Sequence, residues 1–504
     1  MTNPLFDTLV APLAGRTSPF LTDAGGNTMS GAAFHAAALR YATALRGLGL
    51  QPGDRMAVQI DKTPQALALY AAALASGVVF LPLNTAYTAD EVAYFVENAG
   101  AALLVGSPAR AEALSAVADR NGAQFQTMDD VGAGTLSDLA DAGPETFTPV
   151  PRGPDDLAAI LYTSGTTGRS KGAMLSQQNL LSNAEVLAAE WRFAPDDVLL
   201  HALPIFHTHG LFVASNVVML SGASMIFLPG FKADQVISLL PRATTMMGVP
   251  TFYTRLLDDP RFDRDLVAHM RLFTSGSAPL LAETHVQFED RTGHRILERY
   301  GMTETNMNTS NPYEGDRRAG TVGLPLPGVE LKITDPATGD TVPEGEPGMI
   351  EVRGPNVFKG YWQMPEKTRE ELREDGFFIT GDIGQIDADG YVSIVGRQKD
   401  LIITGGYNVY PKEIELILDD QPGVLESAVI GVPHPDFGEA VVAVLVPEKG
   451  ASIDTAGIAA ALGQSLARFK QPKQILILPD LPRNTMGKVQ KNLLRQDYAG
   501  LFSG

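Results

Sequence analysis

The chain has 504 residues, 44% of them hydrophobic and 19% charged, which is enough apolar sequence for two or more packed domains. Its 39 Lys and Arg stand against 58 Asp and Glu, a net charge of −19, so a broadly basic surface for nucleic acid or anionic lipid is excluded. The absence of cysteine excludes disulfides, thiolate metal sites, a cysteine nucleophile and a protein-bound thioester.

In chain order, residues 1–15 carry no basic residue and no compact apolar run ending in a cleavage site. No secretory leader is expected there, and the cytoplasm is the expected compartment. Ser30 is placed to cap a helix running to Arg46, with Gly47 past its end. A strand at 56–60, a helix at 64–75 and a strand at 78–81 follow. The apolar stretch 66–83 is about long enough to cross a bilayer. Ser76, Gly77 and Pro82 divide it into helix, turn and strand, so buried core is expected instead. A helix at 89–98, a strand at 102–105 and a strand at 158–163 come next, then a Gly-rich loop and a helix entered at Ser176. Strands at 225–228, 245–249, 272–275 and 296–300 recur between helices. This alternation gives an α/β fold: a large N-terminal domain of mostly parallel, helix-covered sheets.

After Gly320 short strands dominate, at 330–333, 348–353, 376–380 and 391–395, which marks a β-rich subdomain. A last unit holds a helix at 411–419, strands at 426–432 and 440–446 and a helix at 455–467. It reads as a small mobile α+β domain, with the division at 1–397 and 398–504 and a short charged hinge between them.

The strongest local motif is Tyr162-Thr163-Ser164-Gly165-Thr166-Thr167-Gly168-Arg169-Ser170-Lys171-Gly172. It follows an apolar strand and offers free backbone N–H groups, hydroxyls and two cations, a composition suited to polyphosphate. Its glycine spacing is not that of a Walker A loop. Further on stand Tyr300-Gly301-Met302-Thr303-Glu304, Thr380-Gly381-Asp382, Gly396-Arg397-Gln398-Lys399-Asp400 and Pro482-Arg483-Asn484-Thr485-Met486-Gly487-Lys488. In this order and over essentially the whole chain, the five motifs resemble the adenylate-forming superfamily of acyl-CoA synthetases, peptide-synthetase adenylation domains and luciferases.

The resemblance implies ATP-dependent activation of a carboxylic acid as an acyl-adenylate, then transfer to coenzyme A, with ATP, Mg²⁺ and coenzyme A as the small-molecule requirements. It implies that Thr163, Ser164, Gly165, Thr166, Thr167, Gly168 and Lys171 hold the β- and γ-phosphates. Thr303 would donate to the α-phosphate, beside Gly301 and Met302. Glu304, with Thr167, would hold Mg²⁺, a hard cation that takes carboxylate and phosphate oxygens. Asp382 would accept from the ribose hydroxyls with Arg397 assisting. Ser277, Ala278 and Pro279, with the backbone of Glu298 and the ring of Tyr300, would form the adenine slot.

Lys488 is the expected catalytic residue of adenylation. Carboxylate attack on phosphorus brings two anions together, and a cation about 4 Å away is worth roughly 4 kcal/mol at an effective dielectric near 20. The resemblance also implies that acetylation switches this lysine off, which would make a lysine acetyltransferase and a deacetylase partners. For thioesterification it implies rotation of the C-terminal domain about Lys399, presenting Gly405, Gly406 and Tyr407 to coenzyme A.

The acid pocket is expected along 203–211, 247–255 and 306–309. Arg255 and Arg299 would there meet a second carboxylate, which guanidinium groups bind bidentately. A pair of arginines suits a short dicarboxylate better than a fatty chain. With His207 as a wall residue and Thr208 and Met307 against an α-substituent, the pattern resembles the malonyl-CoA/methylmalonyl-CoA synthetase branch. A short monocarboxylate–CoA ligase and a stand-alone adenylation domain loading a carrier protein are the alternatives.

Overall fold

The computed structural model describes residues 2–144, 146–163, 170–405, 407–484 and 487–502. Two sheets organise the first three hundred residues. One has six strands in the order Gln124–Thr127, Leu103–Gly106, Arg55–Gln59, Val79–Pro82, Leu157–Thr163 and Lys171–Ser176, all parallel except the last pair. The other has nine, its parallel centre formed by Pro19–Thr22, Ser224–Phe227, Val198–His201, Thr245–Gly248, Leu272–Ser275 and Leu297–Met302. Parallel strands need crossovers, and helices such as Gly31–Gly47 and Pro64–Ser76 supply them and cover the faces.

Local chemistry fixes these helices. Ser30 accepts from the Ala33 N–H and Thr63 from the Ala66 N–H, while Gly77 ends the second helix in the left-handed region at φ 71°. The apolar run that ends in Val79–Pro82 is thereby broken, and its residues are buried in the protein core. Among the described residues no helix is long and apolar enough to cross a membrane.

The β-rich subdomain is a four-stranded antiparallel sheet, Glu330–Thr334, Gly348–Arg353, Phe378–Ile386 and Val392–Arg397. A short 3-10 turn, Gln398–Asp400, leads to the last sheet, built on the long pair Val424–His434 and Gly438–Pro447. Helices Pro411–Asp419 and Thr455–Ser465 cover one of its faces, and helix Lys491–Asp497 packs on Val424–His434.

Strand Lys171–Ser176, not among the expected elements, follows the Gly-rich segment and pairs back on Leu157–Thr163, Thr163 opposite Lys171. The helix Gln177–Glu190 begins later, with Ser176 and Asn179 as a reciprocal capping box.

Candidate active site

The C-terminal ends of the parallel strands of both sheets face one cavity of about 980 Å³, closed on its far side by residues of the C-terminal segment. Such strand ends are the usual ligand site of open α/β sheets. Thr163, Lys171, Arg299, Thr303, Arg397 and Lys488 all line it.

The hairpin Leu297–Met302 and Asn306–Ser310 forms its floor. Tyr300 pairs with Thr309, Gly301 with Met307 across a bulge, and a Cβ on Gly301 would lie 1.8 Å from the Asn306 carbonyl, so only glycine fits. Strand alternation sends Arg299 and Tyr300 to opposite sides.

Toward the β-rich sheet, the Tyr300 hydroxyl donates to Asp382 Oδ2 at 2.7 Å, and Arg397 Nε forms an ion pair with Oδ1 at 3.0 Å. Asp382 and Arg397 face each other in the antiparallel register. Burial and the Asp382 charge hold the Tyr300 phenol protonated, and that same charge raises the Arg397 pKa. Each Asp382 oxygen retains at least one lone-pair direction, which suits acceptance from a diol.

At the start of strand Lys171–Ser176, Lys171 donates to both oxygens of Glu371 at 3.1 Å and lies 4.0 Å from the centre of the Tyr361 ring. The Tyr361 hydroxyl lies 2.6 Å from Glu371 Oε2 and 3.1 Å from Glu304 Oε1. Glu304 is buried, and desolvation raises its pKa. A buried carboxylate is the donor type that a hard divalent cation requires.

The opposite end of the cavity is cationic. Arg299 is 2% exposed, and its Nε and Nη2 have no hydrogen-bond partner among the described residues. Burial lowers its pKa to about 9. Around it Thr208 Oγ1 and His209 Nε2 are likewise buried without partners, and His207 and Met307 complete this end. Burial, then the charge of Arg299, depress His207 to about 4, so its imidazole is neutral. His209 Nδ1 lies 3.2 Å from the hydroxyl of Ser277, which sits in the left-handed region at φ 72°.

Lys488 enters from a turn. Asn484 N–H donates to the Lys488 carbonyl, its side-chain oxygen accepts from Lys488 N–H, and Arg483 binds Glu426 and the Gly487 carbonyl. Gly487, at φ 75°, lies against Thr251 of the helix Pro250–Leu257, which brings the lysine to the N-terminal part. Burial, then Arg397, lower the Lys488 pKa to about 8.

Not every expected residue is at this site. Arg255 is exposed on the helix Pro250–Leu257, where Tyr253 and Leu256 take the buried face, and it lines a separate cleft with Asp480 and Asp497. The pair of arginines is thus reduced to Arg299. Ala278 and Pro279 continue from Ser277 outside the cavity lining, and Glu298 is buried behind it, accepting from the Leu280 N–H at 3.2 Å. Gly405 and Tyr407 also lie away from the cavity, Tyr407 exposed and stacked on Phe469 at 4.6 Å. Ser164, Gly165, Thr166, Thr167, Gly168 and Gly406 lie outside the described residues. Tyr361, Glu371 and Asn484 join the site without having been expected; only Asn484, three residues before Gly487, carried a local turn signal.

Comparison with known proteins agrees with this geometry. Residues 14–362 match the family profile described as AMP-binding enzyme, and residues 413–488 match its C-terminal domain. A feruloyl-CoA synthase from Amycolatopsis sp. is 36% identical over 96% of this chain and 97% of its own length. A malonate–CoA ligase from Arabidopsis thaliana is 35% identical over 89% of this chain and 79% of its own. The crystal structure of ATP-bound MatB from Rhodopseudomonas palustris superposes with a TM-score of 0.98 at 57% identity, covering 100% of both chains. With the profile match spanning residues 14–362, the chain belongs to the AMP-binding enzyme family.

Proposed function

We propose that the chain is an AMP-forming acid–CoA ligase whose acid is a short dicarboxylate, malonate or methylmalonate. The observation that carries the choice of acid is Arg299, a buried guanidinium whose Nε and Nη2 have no partner among the described residues. A buried unpaired cation is costly, and a carboxylate offsets that cost with charge-assisted hydrogen bonds. A hydrocarbon chain would leave it unpaired. The likeness to a malonate–CoA ligase and to MatB supports the same reading.

In the first half-reaction one carboxylate of the acid attacks the α-phosphorus of ATP, and pyrophosphate leaves. Arg299 holds the distal carboxylate, with Thr208 and Met307 against the α-carbon. Asp382, braced by Tyr300 and Arg397, accepts from the ribose hydroxyls. Thr303 donates to the α-phosphate. Lys171 exchanges Glu371 for phosphate oxygens. Glu304 is the described residue that would hold Mg²⁺, with Thr167; bound there, the cation neutralises charge on the phosphates. Lys488 offsets the charge that builds as carboxylate and phosphate meet. Acetylation of Lys488 by an acetyltransferase, reversed by a deacetylase, would remove that charge.

In the second half-reaction the thiol of coenzyme A attacks the acyl carbonyl, and AMP leaves. Lys488 lines the cavity here while Gly405 and Tyr407 do not, which is the arrangement adenylation needs. Residues 398–504 would then turn about Lys399, in the short exposed turn Gln398–Asp400, to bring the 404–407 loop to the thiol.

A panel of malonate, methylmalonate, succinate, acetate and propionate, assayed for coenzyme A-dependent AMP release, tests the proposal. Malonate or methylmalonate should give the highest kcat/KM. Equal use of acetate or propionate would remove the dicarboxylate reading, and AMP release indifferent to coenzyme A would remove the ligase reading.

A further inference from the structure

Lys62 is a buried lysine that the chemistry above does not use. It follows strand Arg55–Gln59 of the six-stranded sheet and precedes Thr63, the cap of helix Pro64–Ser76. Its side chain crosses to the nine-stranded sheet. There Nζ lies 2.8 Å from both Nδ1 and the carbonyl oxygen of His201, at the C-terminal end of strand Val198–His201. The face of Phe227 is its third neighbour, with the ring centre 4.3 Å away. Among the described residues no carboxylate pairs with this lysine, and burial pushes its pKa well down.

The hydrogen bonds run in one direction. His201 Nε2 lies 2.9 Å from the carbonyl oxygen of Gly210, which can only accept, so Nε2 carries the hydrogen and Nδ1 accepts from Lys62. Lys62 has the two N–H groups this needs whether charged or neutral. Gly210 also accepts from Ser215 Oγ at 2.9 Å. A Cβ on Gly210 would lie 2.0 Å from the Pro204 carbonyl, so the 204–210 loop closes tightly on this glycine. Directly before it come Thr208 and His209, whose buried Oγ1 and Nε2 are without partners among the described residues at the Arg299 end of the cavity.

We infer that Lys62 and His201 are positioning residues for the acid: through Gly210 they fix Thr208 and His209 where the acid and its α-substituent bind. The inference rests on the assignment of the Arg299 end as the acid pocket. Removing the Lys62 donors leaves the buried His201 Nδ1 without its donor, while the His201 carbonyl keeps the Leu228 N–H, and so frees the ring that holds Gly210. Loosening there acts on one wall of the acid site, whereas Asp382 is held by Tyr300 and Lys171 by Glu371.

The test compares Lys62→Met, His201→Leu and His201→Gln in ATP–pyrophosphate exchange, with malonate and ATP varied in turn. The amide of glutamine can take the place of Nε2–H, so His201→Gln is the conservative variant. Lys62→Met and His201→Leu should raise KM for malonate about 10-fold or more while KM for ATP changes less than about 2-fold, and His201→Gln should recover most of the loss. If Lys62→Met does not fold, the two His201 variants make the same comparison. Parallel increases in both KM values, or a lowered melting temperature with unchanged KM for malonate, would overturn the inference. Arg299→Ala, assayed beside them, separates the failures. Should it leave KM for malonate unchanged, the pocket assignment is wrong; should it alone raise that KM, the positioning role of Lys62 is wrong.

Discussion

The guanidinium of Arg299 lies across Gly276, so that a methyl group on Gly276 would come within 2.4 Å of both Cζ and Nη1. Glycine at 276 is what leaves room for this cation at the end of strand Leu272–Ser275. Gly276→Ala should therefore displace Arg299 and lower kcat/KM for malonate roughly 10- to 100-fold, the range expected for losing a charge-assisted contact. The effect on KM for ATP should be small. Full malonate activity in Gly276→Ala would show that Arg299 does not need its present position.

Lys488 should matter to the first half-reaction alone. Lys488→Ala should lower ATP–pyrophosphate exchange by about two to three decades, yet leave the conversion of preformed acyl-adenylate to thioester nearly intact. Because burial, then Arg397, bring its pKa down to about 8, the charged form is lost as pH rises through that value. In wild type kcat/KM for adenylation should fall on the alkaline side with an apparent pKa near 8. Lys488→Arg should move that limb upward, since guanidinium keeps its proton.

Lys399→Pro should separate the two half-reactions in the other direction. Proline restricts φ in the turn Gln398–Asp400 and impedes rotation, while the adenylation arrangement stays accessible. Pyrophosphate exchange should persist, and thioester formation from isolated adenylate should drop by an order of magnitude or more. Equal losses in both would place the pivot elsewhere.

Glu298 gives a stability signature. Burial raises its pKa from 4.5 to about 8, so the unfolded chain releases this proton at lower pH than the folded one. Its contribution to stability is present at low pH and is lost as pH rises between those values. Glu298→Gln lacks that loss. In denaturant unfolding the stability difference between variant and wild type should shift toward the variant from about pH 5 to about pH 8, by on the order of a few kcal/mol, and then level off.

Much of the site was legible because its motifs are local. Asp382 and Arg397 sit in motifs whose strands pair, and Lys488 sits beside a turn marked by Asn484 and Gly487. Helix phase undid the expectation for Arg255. The burial of Tyr253 and Leu256 turns the intervening positions outward, and the segment 247–255 alone did not show which face the core would take. The strand Lys171–Ser176 was hidden because its glycine, lysine and serine read as loop, and only pairing with Leu157–Thr163 makes it extended. The contacts of Lys171 with Glu371, 200 residues on, and of Lys62 with His201, 139 residues on, depend on tertiary packing and left no periodic signal.

The most direct measurement is kcat/KM for malonate and for propionate, side by side, in wild type and Arg299→Ala. The variant should lose malonate turnover by about 10-fold or more while propionate turnover holds or rises, collapsing the preference between acids that differ by one carboxylate. A proportionate fall for both acids would contradict the assignment of Arg299 to the distal carboxylate.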